Sequence, residues 1–233
     1  MAISNDSRDR VKHAFEPIAL AMGRAGLTPD ALTLVGFAIT VVGAILLSQQ
    51  LWLVGGLVVL IGGVFDMFDG TLARATGQVS RLGAFMDSVF DRWGEALVYL
   101  GIVVGCSYAG FAEGAFLAAA AMGAAFMVSY TRAKAEGLGF TAGSGMAAIG
   151  IMPREVRLVI LCLGLVLAPV PIHEAVPAGA ACAGLCDFPQ GGSLAVALTV
   201  ITVGATITTI QRILHVRSQA RQQASSHPTE TNT

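Results

Sequence analysis

Charge is what this chain has least of. Only 12% of its 233 residues are Asp, Glu, Lys or Arg, against about 25% in ordinary soluble domains. In their place stand 55% hydrophobic residues and a mean hydropathy of +0.71. That deficit excludes a water-soluble domain and predicts an all-α integral membrane protein. The net charge of −1 says nothing about acidic partners, and no nucleic-acid partner is expected. Cysteine is scarce too: the four present have no metal-site spacing, which excludes a thiolate centre. Cys106 and Cys162 read as apolar packing residues. Cys182 and Cys186 lie in a connection without Lys or Arg, where an oxidising compartment would permit a bridge. The polar start MAISNDSRDRVKHAFEP is not followed at once by a short apolar core and small-residue cleavage site. No cleavable signal peptide is therefore expected, and the first apolar span serves as its own targeting signal.

Six apolar runs have the roughly 17–25 residues that cross a hydrocarbon core: Ala31–Leu47, Leu51–Leu72, Leu82–Cys106, Ala115–Thr131, Val156–Pro171 and Ser193–Leu214. Basic residues are missing from every connection on one side of this array. They fall before the first span (Arg8, Arg10, Lys12, Arg24), around the second connection (Arg74, Arg81, Arg92), around the fourth (Arg132, Lys134, Arg154, Arg157) and after the last span (Arg212, Arg217, Arg221). Because positive residues stay on the cytoplasmic side, both termini are expected there, in a multi-pass protein of the cell membrane. Val11, Phe15, Ile18 and Met22 recur every three or four residues among basic ones, the pattern of an amphipathic helix lying at the interface. Thr28-Pro29 supplies an N-cap and a first-turn proline for the first span. The expected division is a juxtamembrane segment 1–30, a six-helix transmembrane catalytic domain 31–215 and a disordered cytoplasmic tail 216–233.

Against this background, VFDMFDGTLARATGQVSRLGAFMDSVFDRWGEAL contains four aspartates. Asp66 and Asp69 are three apart and Asp87 and Asp91 four apart, so each pair shares a helix face. The pairs stand near the cytoplasmic ends of adjacent antiparallel helices, which lets all four carboxylates converge. Left unpaired in a membrane, each would cost about 2.5–3.5 kcal/mol, and like charges a few ångströms apart add repulsion. A cation must offset them. Oxygen ligands without Cys or His select Mg²⁺, Mn²⁺ or Ca²⁺, and an ion held with open positions takes phosphate oxygens as further ligands. Gly70 permits close approach to the backbone, Ala73 and Gly83 let the helices approach, and Arg74, on the Asp69–Gly70 face, is placed to clamp a phosphate.

The run Asp66-x₂-Asp69-Gly70-x₂-Ala73-Arg74-x₈-Gly83-x₃-Asp87-x₃-Asp91 resembles the full signature of the CDP-alcohol phosphotransferase family. The resemblance implies transfer of a phosphate-bearing group from a CDP-linked lipid to an alcohol, with release of CMP. It further implies two Mg²⁺ or Mn²⁺ ions on Asp66, Asp69 and Asp87 with help from Asp91, and Asp91 as the base for the acceptor hydroxyl. The cytidine diphosphate would contact Gly70, Ala73, Arg74 and Ser80, with Pro29 and Asp30 closing the nucleotide side. Related enzymes are commonly two-fold dimers, so a homodimer is expected by likeness.

Arg132 and Lys134 at the end of the fourth span, and Arg154 and Arg157 at the start of the fifth, set four cations on the side of the acids. They suit an acceptor that is itself a phosphate ester; Arg212 is positioned to complete such a pocket. Ser129-Tyr130-Thr131-Arg132-Ala133-Lys134-Ala135-Glu136 resembles the branch of the family that makes phosphatidylinositol phosphate or its archaeal ether-lipid counterpart from inositol 1-phosphate. The later stretch Pro153-Arg154-Glu155-Val156-Arg157 departs from that branch's usual Glu-Arg-Pro-Glu-Arg while keeping both arginines. Glycerol 3-phosphate is the competing acceptor. In a different class, a divalent-cation transporter would spread polar residues to mid-membrane over several helices in repeated halves. Here the charges crowd at one end of two neighbouring spans.

Overall fold

The computed structural model describes residues 17–140, 149–168 and 192–226. Among the described residues, six helices follow a short helical stretch at 17–24: α1 (Pro29–Ser48), α2 (Trp52–Thr76), α3 (Arg81–Tyr108), α4 (Ala112–Gly137), α5 (Arg154–Leu167) and α6 (Gly192–Ser226). Their ends obey local chemistry. The Thr28 hydroxyl accepts the Ala31 N–H at 3.2 Å, with Pro29 as the first helical residue of α1. Gly77 ends α2 at φ 68°, a left-handed turn that lets the Gln78 N–H reach back to the Ala73 carbonyl at 2.9 Å. Ser80 then caps α3 by accepting the Gly83 N–H at 2.8 Å. This tight stop and restart reverses the chain, and α2 and α3, both packed on α1, carry the two aspartate pairs to the same end.

Helix α1 packs on α2 and α3, α4 on α3 and α6, and α5 bridges α2 and α6. The shared core runs through Leu47, Val59, Ile102, Leu165, Leu198 and Ile201, each no more than 2% exposed. Close backbone approach holds the α1–α3 seam: a Cβ on Gly101 would collide with the Ala44 carbonyl of α1. Cys106 and Cys162 are buried free thiols in this core, as expected of packing residues. Cys182 and Cys186 lie outside the described residues.

Four of these helices, α1, α2, α4 and α6 through Gln223, are long and apolar enough to cross a membrane. The other two expected spans fall short for different reasons. Helix α3 has 28 residues but carries Asp87, Asp91, Arg92 and Glu95, and α5 has only 14. Large apolar side chains such as Leu34, Ile45, Val54, Ile61, Val203 and Ile213 point away from the protein interior. Before α1, residues 17–24 are helical, with Ala19 and Met22 seated against Leu32, Phe68 and Leu72. Ile18 faces outward, and the rest of the expected amphipathic segment, with Val11 and Phe15, lies outside the described residues. One expectation is corrected in part: of the tail 216–233 expected to be disordered, residues 216–226 continue α6 to Ser226, and 227–233 lie outside the described residues. Extending an existing helix needs no new nucleus, and Arg, Gln and Ala are good helix formers, so RSQARQQASS propagates α6 beyond its apolar part.

Candidate active site

Helices α2 and α3 bring Asp66, Asp69 and Asp87 together, with one carboxylate oxygen from each within 4.8 Å of the others. Asp91, one turn further along α3, joins them through a cation. Arg154, the first residue of α5, places Nη1 2.6 Å from Asp66 Oδ2 and 2.6 Å from Asp91 Oδ1. All four expected acids are thus gathered at one place. Asp69 is the most enclosed, 5% exposed. Thr33 of α1 donates its hydroxyl to Asp69 Oδ2 at 2.5 Å, and the Gly70 backbone N–H donates to Oδ1. Asp91 Oδ1 is buried and makes no hydrogen bond of good geometry; its ionic contact with Arg154 compensates it, while Arg92 meets the other oxygen of the same carboxylate.

Such a group fits a hard divalent ion. Ligand oxygens at about 2.1 Å from Mg²⁺, or 2.3–2.6 Å from Ca²⁺, stand up to roughly 4–5 Å apart across the ion. The spacing of the three oxygens falls at that scale, and every donor is a carboxylate. Without an ion the cluster is strongly repulsive, and Arg154 is the cation that reaches two of its members.

The residues expected on the nucleotide side come to the same end. Arg74 lies over Gly70, so that a Cβ on that glycine would stand 3.3 Å from Arg74 Nη1. Asp30, in the first turn of α1, faces Gly83 of α3: a Cβ there would lie 3.4 Å from Asp30 Oδ1. Ser80 is engaged as the α3 cap, Ala73 supplies its carbonyl to the end of α2, and the Pro29 carbonyl lies 3.2 Å from the Thr33 hydroxyl.

The five basic residues expected at the acceptor divide into different situations. Arg154 reaches the acids and keeps 30% of its side chain exposed. Arg157 is 1% exposed and fully engaged: Nε and Nη2 donate to Glu95 Oε1 at 2.9 and 2.8 Å, Nη2 also to Oε2 at 3.1 Å, and Nη1 to the Met152 carbonyl at 3.1 Å. Arg212 is buried, donating Nε to the Ile149 carbonyl at 3.0 Å and Nη1 to the Val128 carbonyl. Arg132 pairs with Glu136 at 2.9 Å one turn along α4, and Lys134 is exposed. Arg132 and Arg157 nonetheless both lie close enough to Arg212 to repel it, with Glu136 as partial offset.

Sequence reasoning missed three supporting side chains. Glu95 carries no spacing signal toward Arg157, which is 62 positions away. Thr33 sits inside an apolar run. Thr208 of α6 accepts the Met152 N–H at 3.0 Å, and with Arg212 it staples residues 149–152 so that α5 begins at the acids. Arg92 was legible only as one of the basic residues around the second connection. It donates to Ser129 of α4 and lies 3.3 Å from Asp91 and 3.4 Å from Glu95. Below the acids a cavity of about 50 Å³ continues inward between α1, α2, α3 and α5, bounded by Asp66, Asp91, Glu95 and Arg157 and by the rings of Phe37 and Phe90.

The family model described as CDP-alcohol phosphatidyltransferase matches residues 26–207. Among similar proteins, archaetidylinositol phosphate synthase of Pyrococcus horikoshii is 36% identical over 165 residues, 71% of this chain and 83% of the relative. Phosphatidylinositol phosphate synthase of Mycolicibacterium smegmatis is 34% identical over 216 residues, 91% of this chain and 87% of the relative. The crystal structure of Mycobacterium tuberculosis phosphatidylinositol phosphate synthase with CDP-DAG bound superposes with TM-score 0.71 at 28% identity, covering 87% of this chain and 92% of that one. The same enzyme in complex with manganese and citrate gives TM-score 0.71, again at 28% identity, over 88% and 89% of the two chains.

Proposed function

The chain belongs to the CDP-alcohol phosphatidyltransferase family, and from that premise we propose that it moves a phosphatidyl-type group from a CDP-linked lipid to inositol 1-phosphate, releasing CMP. The observation that carries the reading is the convergence of three carboxylates within 4.8 Å with an arginine bridging one of them to a fourth. The similarity to phosphatidylinositol phosphate and archaetidylinositol phosphate synthases supports the choice of acceptor.

In this reading Asp66, Asp69 and Asp87, with Asp91, hold Mg²⁺ or Mn²⁺, and Thr33 fixes the Asp69 carboxylate toward the others. Held by these carboxylates, divalent ions would supply charge neutralisation for the pyrophosphate and for the departing CMP. Gly70, Ala73, Arg74 and Ser80, with Pro29 and Asp30, line the nucleotide side. Asp91 takes the proton of the acceptor hydroxyl as its oxygen bonds to the β-phosphorus and the bond from that phosphorus to the bridging oxygen breaks, leaving CMP. Arg154 meets the acceptor's phosphate directly, aided by Arg132 and Lys134. Arg157 and Arg212, both buried, contribute a fixed positive field behind it.

Six membrane crossings belong to the same proposal. Helix α3 crosses with its charged end at the cytoplasmic boundary, and α5 crosses together with residues beyond Leu167. A cytoplasmic active site lets the donor's tails remain in lipid while the acceptor arrives from water; the Lys/Arg asymmetry supports this orientation. The organisation into segment 1–30, catalytic domain 31–215 and cytoplasmic tail 216–233, and assembly as a homodimer, complete it.

Purified protein given CDP-diacylglycerol and Mn²⁺ tests the reaction by release of CMP. CMP should appear with inositol 1-phosphate and stop on addition of EDTA. Faster release with glycerol 3-phosphate would move the reading to a phosphatidylglycerophosphate-type synthase, and no release with any acceptor would overturn it in favour of cation transport.

A further inference from the structure

Arg154 occupies a place where a cation is otherwise unwelcome. It is the first residue of α5, and unpaired N–H groups make the start of a helix partially positive. Its guanidinium stays because one nitrogen is shared by Asp66 and Asp91, at 2.6 Å from each. Asp66 is also one of the three acids whose oxygens converge. One carboxylate therefore serves two competing cations. The neighbouring Arg157 cannot play this part, since it is 1% exposed and consumed by Glu95 and the Met152 carbonyl. Arg154, with 30% of its side chain exposed and Pro153 before it, has a way out toward solvent.

We propose that Arg154 is an internal counter-cation of the metal site, holding Asp66 and Asp91 together until divalent ions displace it, and that displacement frees its guanidinium for the acceptor's phosphate. The inference rests on the reading of the four aspartates as the metal site and adds an order to it: metal first, acceptor anion second. The physics is a linkage. The contacts of Arg154 with Asp66 and Asp91 must break for metal to bind and equally for an anion to take the guanidinium; whichever binds first bears that cost, so each raises the other's affinity by the same factor. The metal-free site avoids the repulsion of bare carboxylates, and the acceptor's cation stays engaged elsewhere until the donor side is charged with metal.

The test is Mn²⁺ binding by purified protein without substrates, followed by the electron paramagnetic resonance signal of the free ion. Arg154→Gln removes the competitor and should bind Mn²⁺ on the order of tenfold more tightly than wild type, the size of an ordinary coupling between sites. Arg154→Lys, whose ammonium ends one bond short of the Nη1 that both carboxylates share, should fall between the two. Asp69→Asn serves as the control that abolishes binding. Equal or weaker Mn²⁺ binding by Arg154→Gln, with the Asp69→Asn control still negative, overturns the counter-cation and leaves the metal site standing. No Mn²⁺ binding by wild type or Arg154→Gln overturns both. If thermal unfolding shows that Arg154→Gln does not fold, Arg154→Lys decides: tighter binding than wild type supports the proposal and unchanged affinity refutes it.

Discussion

Replacing Glu95 with Gln probes what locks α5 against α3 and so sets the position of Arg154. The Arg157 guanidinium makes three contacts of 2.8–3.1 Å with the Glu95 carboxylate and is 1% exposed, so it has no water to turn to when that charge is removed. Gln keeps the shape and one acceptor but leaves the guanidinium uncompensated. Breaking one side of a buried ion pair costs about 3–5 kcal/mol. Glu95 retains 12% exposure, so the lower end, about 3 kcal/mol, is expected. Arg157→Met should cost less, about 2 kcal/mol, because Arg92 remains 3.4 Å from the orphaned Glu95. In the double variant neither charge is left alone, so its loss should fall well below the sum of the two single losses. Reversible unfolding in mixed detergent micelles, followed by helical circular dichroism, reads all three. Additive losses, or a Glu95→Gln loss under about 1 kcal/mol, would refute the reasoning and make the fork a surface-like pair.

Three further outcomes follow from single contacts. Thr33→Val keeps side-chain shape but withdraws the hydroxyl from Asp69; Mn²⁺ affinity should fall about tenfold and return in Thr33→Ser, and a valine variant that titrates like wild type would remove Thr33 from the site. Gly101→Ala drives a methyl into the Ala44 carbonyl, a backbone atom that cannot swing aside, and should cost about 1–3 kcal/mol in the same unfolding assay. Its control, Gly123→Ala, meets nothing within 4 Å and should be neutral or slightly stabilising; equal effects at the two positions would refute the steric account. Asp91→Asn should still bind CDP-diacylglycerol while turnover drops about 10²–10⁴-fold, the usual worth of a general base. Parallel loss of donor binding would make its role ligation instead.

What the sequence made legible and what it hid divide along the range of the interaction. Spacings of three and four within α2 and α3, a tight turn between them and a Thr-Pro helix start are local facts. They were enough to bring Asp66, Asp69, Asp87 and Asp91 to one end of two helices that are consecutive in the chain, although both pack on α1 rather than on each other. Which cation meets which acid is not local. Arg154 and Arg157 are one turn apart and equivalent on paper, yet one reaches across to α2 while the other is buried on Glu95, because the staple of Thr208 and Arg212 sets the height at which α5 begins. Arg132 is the opposite case: its partner Glu136 is a simple i, i+4 neighbour that the sequence displays openly. Helix α3 shows why a hydropathy count and a site reading pull against each other. Asp87, Asp91, Arg92 and Glu95 serve the site and its supports, and they also lower the apolar score of the helix that carries them. In the six-crossing reading proposed for this chain, α3 is the crossing that looks least like one, and what supports it is packing on α1 and α4 rather than hydropathy.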